Sequence, residues 1–266
     1  MGIADDILNH PEAALAALAF QIDLGADEAI GDCPVNRYAE AAKPAPVSRA
    51  AEASAPREAP LQVASDPVAA ARKAAGAATD LASLRAAIAG FELCEIKRGA
   101  RSTVFADGNP KARVLILGEA PGREEDQAGL PFVGAAGQLL DRMFAAIGLS
   151  RTSPDAAESL YITNVMPWRP PQNREPDPAE IAMMRPFVKR HIELAGPEVI
   201  VVMGNTPCLA LLGQKGILRL RGLWTEALGR PVLPMTHPAY LLRNPAAKRE
   251  AWADLLALQD RLGALR

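Results

Sequence analysis

The chain has 266 residues, 49% of them hydrophobic, and a formal net charge of −2. That suffices for one sizeable core, and three widely spaced cysteines (Cys33, Cys94 and Cys208) with no CxxC pair give no disulfide framework. No apolar run reaches membrane-spanning length, and Asp5 and Asp6 stand where a signal peptide would be basic, so a cytoplasmic protein that does not enter a membrane is expected.

Residues 5–30 read as an amphipathic helix with Ile7, Leu8, Leu15, Leu18, Phe20, Ile22 and Leu24 as its apolar set. It either packs on the main domain or docks on a protein partner. Residues 31–78 are rich in Ala, Pro and Ser, with prolines at 34, 44, 46, 56, 60 and 67, and cannot offset their own ordering entropy. The expected organisation is therefore an N-terminal helical segment over 1–30, a linker over 31–78 and a catalytic domain over 79–266. Charge follows the same division. Residues 1–78 hold 6 Lys and Arg against 11 Asp and Glu, whereas the remainder holds 23 against 20. The folded part is mildly basic, which suits a local rim that holds phosphates.

A short helix is predicted over 80–89, capped by Thr79 or Asp80. Four apolar strand signals follow at 113–118, 160–166, 198–204 and 231–236. Helical patterns separate them at 135–147, 178–195 and 205–213, and a last helix spans 245–264. The alternation predicts an α/β domain of three layers, α/β/α, around a central four-stranded, mainly parallel sheet. Pro234 interrupts the fourth signal and marks it as an edge strand.

In such sheets ligands bind beyond the carboxyl ends of strands. Gly118-Glu119-Ala120-Pro121-Gly122 breaks the first strand sharply and opens an acidic loop that runs to Phe132 and Gly134. Asn164 lies near the end of the second strand, where an amide offers a ligand one hydrogen-bond donor and one acceptor together. His237 ends the fourth strand in His237-Pro238-Ala239-Tyr240 and is one of only three histidines. His191, inside a helical pattern, reads as a surface or packing residue.

Taken together, the segment from Val114 to Leu140, Tyr161-Ile162-Thr163-Asn164 and His237-Pro238-Ala239-Tyr240 resemble the uracil-DNA glycosylase superfamily, most closely its family 4. The resemblance covers about residues 80–262. It implies a monofunctional glycosylase that flips uracil out of DNA and hydrolyses the N-glycosidic bond without a metal, leaving abasic DNA as product. It assigns Phe132 as the stacking face for the extruded base, Asn164 as its reader and Glu119 as the residue that places water. His237 would stabilise the departing uracil anion at O2, an electrostatic role open to a neutral imidazole. Backbone amides at Ala120 and Gly122 join the uracil site. In the loop after His237, Leu241 or Leu242 would penetrate the duplex, while Arg243, Lys248 and Arg249 hold phosphates. Arg169, in a segment resembling the family's RPP, is a further DNA contact, and Lys97, Arg98 and Arg101 form a second basic group. The implied partners are uracil-containing DNA and the abasic product, acted on by a monomer. A second reading is a uracil- or abasic-DNA binding protein of the same fold with weak turnover.

The chain departs from family 4 at the iron–sulfur cluster. Four cysteines hold it in that family, and the corresponding positions here are Phe91, Cys94, Trp168 and either Met183 or Met184. One thiolate cannot hold four irons, so the expectation is no cofactor, with apolar packing where the sulfurs would be. A related branch forms covalent adducts through a histidine after the second strand; Gln172-Asn173-Arg174-Glu175 supplies none.

Overall fold

The computed structural model describes residues 66–265, together with Leu15. The helix expected over 5–30 and most of the linker expected over 31–78 otherwise lie outside the described residues.

Six strands form one sheet in the order β1-β3-β2-β4-β6-β5. Strands β2 (Val114–Gly118), β3 (Leu160–Asn164), β4 (Val199–Met203) and β6 (Arg230–Met235) pair in parallel and match the four apolar signals. The count of four is corrected by β1 (Ala106–Gly108) and β5 (Thr225–Ala227), which pair antiparallel at the two edges. These three-residue strands, ADG and TEA, carry no apolar alternation and owe their form to the longer strands beside them.

Pro234 does not lie on an edge strand, because β6 is flanked by β4 and β5. Its register explains how it is tolerated. The Pro234 carbonyl accepts from Gly222 N–H (3.0 Å), on the side away from β4, so its missing N–H faces that side too. The β5 ladder has already ended at Val232, and no ladder bond is lost.

Every residue of β2, β3 and β4 is buried, which accounts for their nearly unbroken apolar runs. Alternate side chains serve opposite faces. Leu115, Leu117, Ile200 and Val202 join α5 (Pro178–Ala195), α6 (Asn205–Leu212), α1 (Pro67–Ala77) and α2 (Leu81–Ala89) in one core. Val114, Ile116, Val199, Val201 and Met203 join α4 (Ala135–Ala145) and α9 (Lys248–Ala264) in the other. Asp80 caps α2 in a capping box with Ser83, which settles the choice between Thr79 and Asp80. The remaining helices are α3 (Arg123–Ala128), α7 (Ile217–Leu220) and α8 (Pro238–Arg243).

Helix α1 corrects the linker boundary, which runs too far at 78. Asp66 caps it by accepting from Val68 N–H (3.0 Å), and Pro67 occupies the first turn. Its buried face is only Ala71 and Ala75, and Arg190 of α5 donates twice to the Ala78 carbonyl (2.8 and 3.0 Å). Small side chains allow close helix approach, so a segment without large apolar residues still packs.

Candidate active site

Strands β2 and β3 end side by side, with Gly118 opposite Asn164 in register. A Cβ at Gly118 would lie 2.3 Å from Asn164 Oδ1 and 2.5 Å from Phe132 Cε2. The glycine is thus the floor on which an amide and an aromatic ring meet, and the structure brings together these two predicted residues. Asn164 is buried and its Oδ1 has no hydrogen-bond partner. An orphaned buried acceptor costs about 1–3 kcal/mol, a cost that persists where a site awaits a donor. Thr236 Oγ1 is likewise buried and unpartnered, and nothing in the structure explains it.

Phe132 adopts a left-handed backbone (φ 54°), unusual for a bulky residue. Two side chains absent from the predicted set fix it. Glu125 Oε1 accepts from Val133 N–H (3.1 Å) and Gly134 N–H (2.9 Å), and its Oε2 accepts from Gly122 N–H (3.0 Å). Arg151 donates to the Pro131 and Phe132 carbonyls, both at 2.9 Å. A charged residue inside a glycine-rich loop was the only signal for Glu125. Arg151, 19 residues from Phe132, had none.

The His237 ring stacks against Phe132, with centroids 5.4 Å apart and planes inclined by 27°. Its Nδ1 accepts from Ala239 N–H (3.1 Å), the capping bond of α8. Burial pushes the imidazole down to about 4, aided by the charge of Arg243 and opposed by Glu125. A neutral ring whose Nδ1 is an acceptor carries its proton on Nε2, so it is a donor there. Glu119 is half-buried on the loop beyond β2. Burial raises its carboxyl above the usual range, while the Thr206 hydroxyl works the other way and Glu175 adds to the rise. Ala120 and Gly122 lie half-buried on the same loop, and the Gly122 amide already serves Glu125.

Arg243, Lys248 and Arg249 are exposed. Arg169 is half-buried and donates from Nε to Asn173 Oδ1 (2.8 Å). The two leucines separate. Leu242 is 42% exposed, whereas Leu241 is 1% exposed and packs with Leu139 and Ala251. Leu241 is corrected from a duplex-penetrating residue to a core residue, since it would have to leave that cluster to reach DNA. Lys97 pairs with Glu92, donates to the Ala89 carbonyl (2.6 Å) and lies over the Trp168 ring. Arg98 and Arg101 remain exposed. His191 is a packing residue, buried, stacked on Phe105 and bonded to Tyr161 Oη (2.9 Å).

The positions that correspond to cluster ligands do not fit an iron–sulfur centre. Phe91, Cys94, Trp168 and Met184 are all buried in one core, with Phe91 edge-on to Phe187 at 5.2 Å. Burial pushes the single thiol, Cys94, up and away from the thiolate form that binds iron. Among the described residues no three His, Cys, Asp or Glu side chains group to hold a metal.

A family model described as the uracil DNA glycosylase superfamily matches residues 105–256, which include Glu119, Phe132, Asn164 and His237. The type-4 uracil-DNA glycosylase of Thermotoga maritima is 40% identical over 154 residues, 57% of this chain and 77% of that one. That of Archaeoglobus fulgidus is 37% identical over 179 residues, 64% and 87% of the two chains. The type-5 enzyme of Thermus thermophilus is 31% identical over 121 residues, 41% and 54%. With the α/β fold and its strand-end site, these matches define a DNA glycosylase, a hydrolase acting on N-glycosyl bonds. More particularly, the chain belongs to the uracil DNA glycosylase superfamily and stands nearer its type-4 than its type-5 branch.

Proposed function

We infer that the protein removes uracil from DNA by hydrolysing the bond between uracil N1 and the deoxyribose C1′, leaving an abasic site for repair. The observation that carries the reading is the buried, unpartnered Oδ1 of Asn164, set above Gly118 beside the Phe132 ring. That acceptor suits the N3–H of a uracil lying against the ring, and the amide N–H of the same side chain suits O4. An edge of this kind is accessible only when the base leaves the stack, so the nucleotide is flipped before cleavage.

Bond breaking leaves an oxocarbenium-like sugar and a uracil anion. The neutral His237, donating from Nε2, stabilises the charge that develops on O2. Glu119 places the attacking water or stabilises the sugar cation; its raised proton affinity supports a role in receiving the proton that water gives up. Arg169, Arg243, Lys248 and Arg249 hold phosphates, and Leu242 fills the space left in the duplex. No step needs a cluster or metal. The protein works as a cytoplasmic monomer, and residues 1–30 dock on a protein partner.

The test is multiple-turnover release of uracil from an oligonucleotide by the anaerobically purified full chain, with its visible spectrum recorded. Turnover without an iron–sulfur band, lost in Asn164→Ala, supports the reading. Tight binding of abasic DNA with only stoichiometric release moves it to damage recognition, and a visible cluster band refutes the ligand correspondence.

A further inference from the structure

We propose that Arg151 is the positioning residue that aims the Phe132 ring at the base. The inference rests on the stacking role given to Phe132 above.

Arg151 lies just after α4, in the connection to β3, and reaches the site only through backbone carbonyls. Its side chain is nonetheless only 10% exposed. Four of its five N–H donors are used, at least one from each nitrogen. Nε donates to Asp141 Oδ1 (2.8 Å), Nη1 to Asp107 Oδ2 (3.0 Å) and to the Pro131 carbonyl (2.9 Å), and Nη2 to the Phe132 carbonyl (2.9 Å). Two acidic side chains orient the guanidinium, and the guanidinium in turn pins two successive carbonyls.

Those carbonyls, of Pro131 and Phe132, flank the one bulky side chain of the site whose backbone is held in the left-handed region, Phe132. Such a conformation persists only where its surroundings over-determine it. Here they do so from both sides. Arg151 fixes the carbonyls of 131 and 132, and Glu125 fixes the N–H groups of 133 and 134. The backbone also needs room: a Cβ at Gly137 would fall 1.7 Å from the Phe132 carbonyl oxygen. Release of the carbonyls lets the peptide relax towards negative φ, which swings the ring off Gly118. A strained, fully clamped aromatic is an expensive way to fill a core, but it is the way to hold a stacking face before the ligand arrives.

Lysine at 151 keeps the charge opposite Asp107 and Asp141 but lacks the fork that bridges two carbonyls while holding two carboxylates. The experiment measures single-turnover uracil excision by the full chain for wild type, Arg151→Lys, Phe132→Ala and the double variant, each checked by thermal melting. Misplacement of the ring by about 1 Å predicts a loss of about 100-fold in kcat/KM for Arg151→Lys. In the Phe132→Ala background the same change costs about 3-fold or less, because a residue that acts through the ring has nothing left to position.

Equal penalties in both backgrounds, or wild-type activity in Arg151→Lys, overturn the proposal. So does an Arg151→Lys chain that fails to fold, which would assign Arg151 to stability. Full activity in Phe132→Ala is a different failure: it removes the stacking reading itself, and this inference with it.

Discussion

Acidification separates two kinds of imidazole at position 237. Burial and the Arg243 charge push His237 down to about 4, and Ala239 N–H occupies its Nδ1, so the ring is neutral with Nε2 as donor. At pH 5 a group with that affinity is about 90% neutral, whereas one at the ordinary value of about 6.5 is only about 3% neutral. Glu119 also titrates on the acid limb, with a raised pKa, so a single rate profile would mix the two groups. The ratio of wild-type to His237→Ala rates cancels the Glu119 contribution. Removing one preorganised donor from a developing anion costs about 10²–10³-fold in kcat, or about 2.7–4 kcal/mol. In single-turnover assays at constant ionic strength that ratio should hold between pH 8 and about pH 5, then fall as His237 protonates. A ratio that drops with a midpoint near 6.5 would show an ordinary, solvated imidazole. A ratio that climbs tenfold per unit on acidification would show that the cation is the active form, and would refute the neutral-donor argument.

Gly118→Ala should leave the melting temperature within a few degrees yet abolish most activity, since the new Cβ collides with Asn164 Oδ1 and the Phe132 ring; circular dichroism and excision kinetics on one preparation check both halves. Leu241→Ala should destabilise the domain by about 2–5 kcal/mol in urea titrations, as a buried cavity does. Leu242→Ala should unfold like wild type but lose activity on duplex DNA more than on single strands. Burial holds His191 down at about 3, below its unfolded value near 6.5, so the unfolded chain takes up the proton first. The His191 contribution is complete above pH 6.5 and is lost as pH falls towards 3, by at most about 1.4 kcal/mol per unit. His191→Gln, which keeps an acceptor for Tyr161, should show a shallower acid loss in urea melts from pH 7 to pH 4; an unchanged slope would contradict the assignment.

The four parallel strands were legible in their apolar runs, and Asn164 and His237 in their places at strand ends, whereas Phe132 and Glu119 stood out through the family resemblance. The parts that were not legible depend on partners distant in sequence. Strands β1 and β5 are strands only because Thr163 and Val232 lie opposite them. Helix α1 looks like linker because its packing face is alanine, although Asp66-Pro67 was a readable start signal. Leu241 and Leu242 are adjacent and chemically identical, and only the phase of α8 against Leu139 and Ala251 buries one and exposes the other. Arg151 had no sequence signal, since its meaning comes from carbonyls that carry no residue identity.

The substitution at the cluster positions joins these two levels. Trp168 and Met184 fill the core that they share with Phe91, and Trp168 donates from Nε1 to Thr103 Oγ1 (3.0 Å) while Lys97 covers its ring. The chain running from Asn164 to Trp168 is also the support of the active-site loop: Val165 N–H donates to the Gly118 carbonyl (2.9 Å) and Met166 N–H to the Glu119 carbonyl (3.0 Å). Val104 N–H bonds the Pro167 carbonyl (2.8 Å) from the other side. A large buried aromatic at 168 therefore anchors the segment that fixes the backbone of Glu119. Burying the indole is favourable without help from a metal, because its one polar atom is paired. Packing and paired polar groups brace this segment between Asn164 and Trp168.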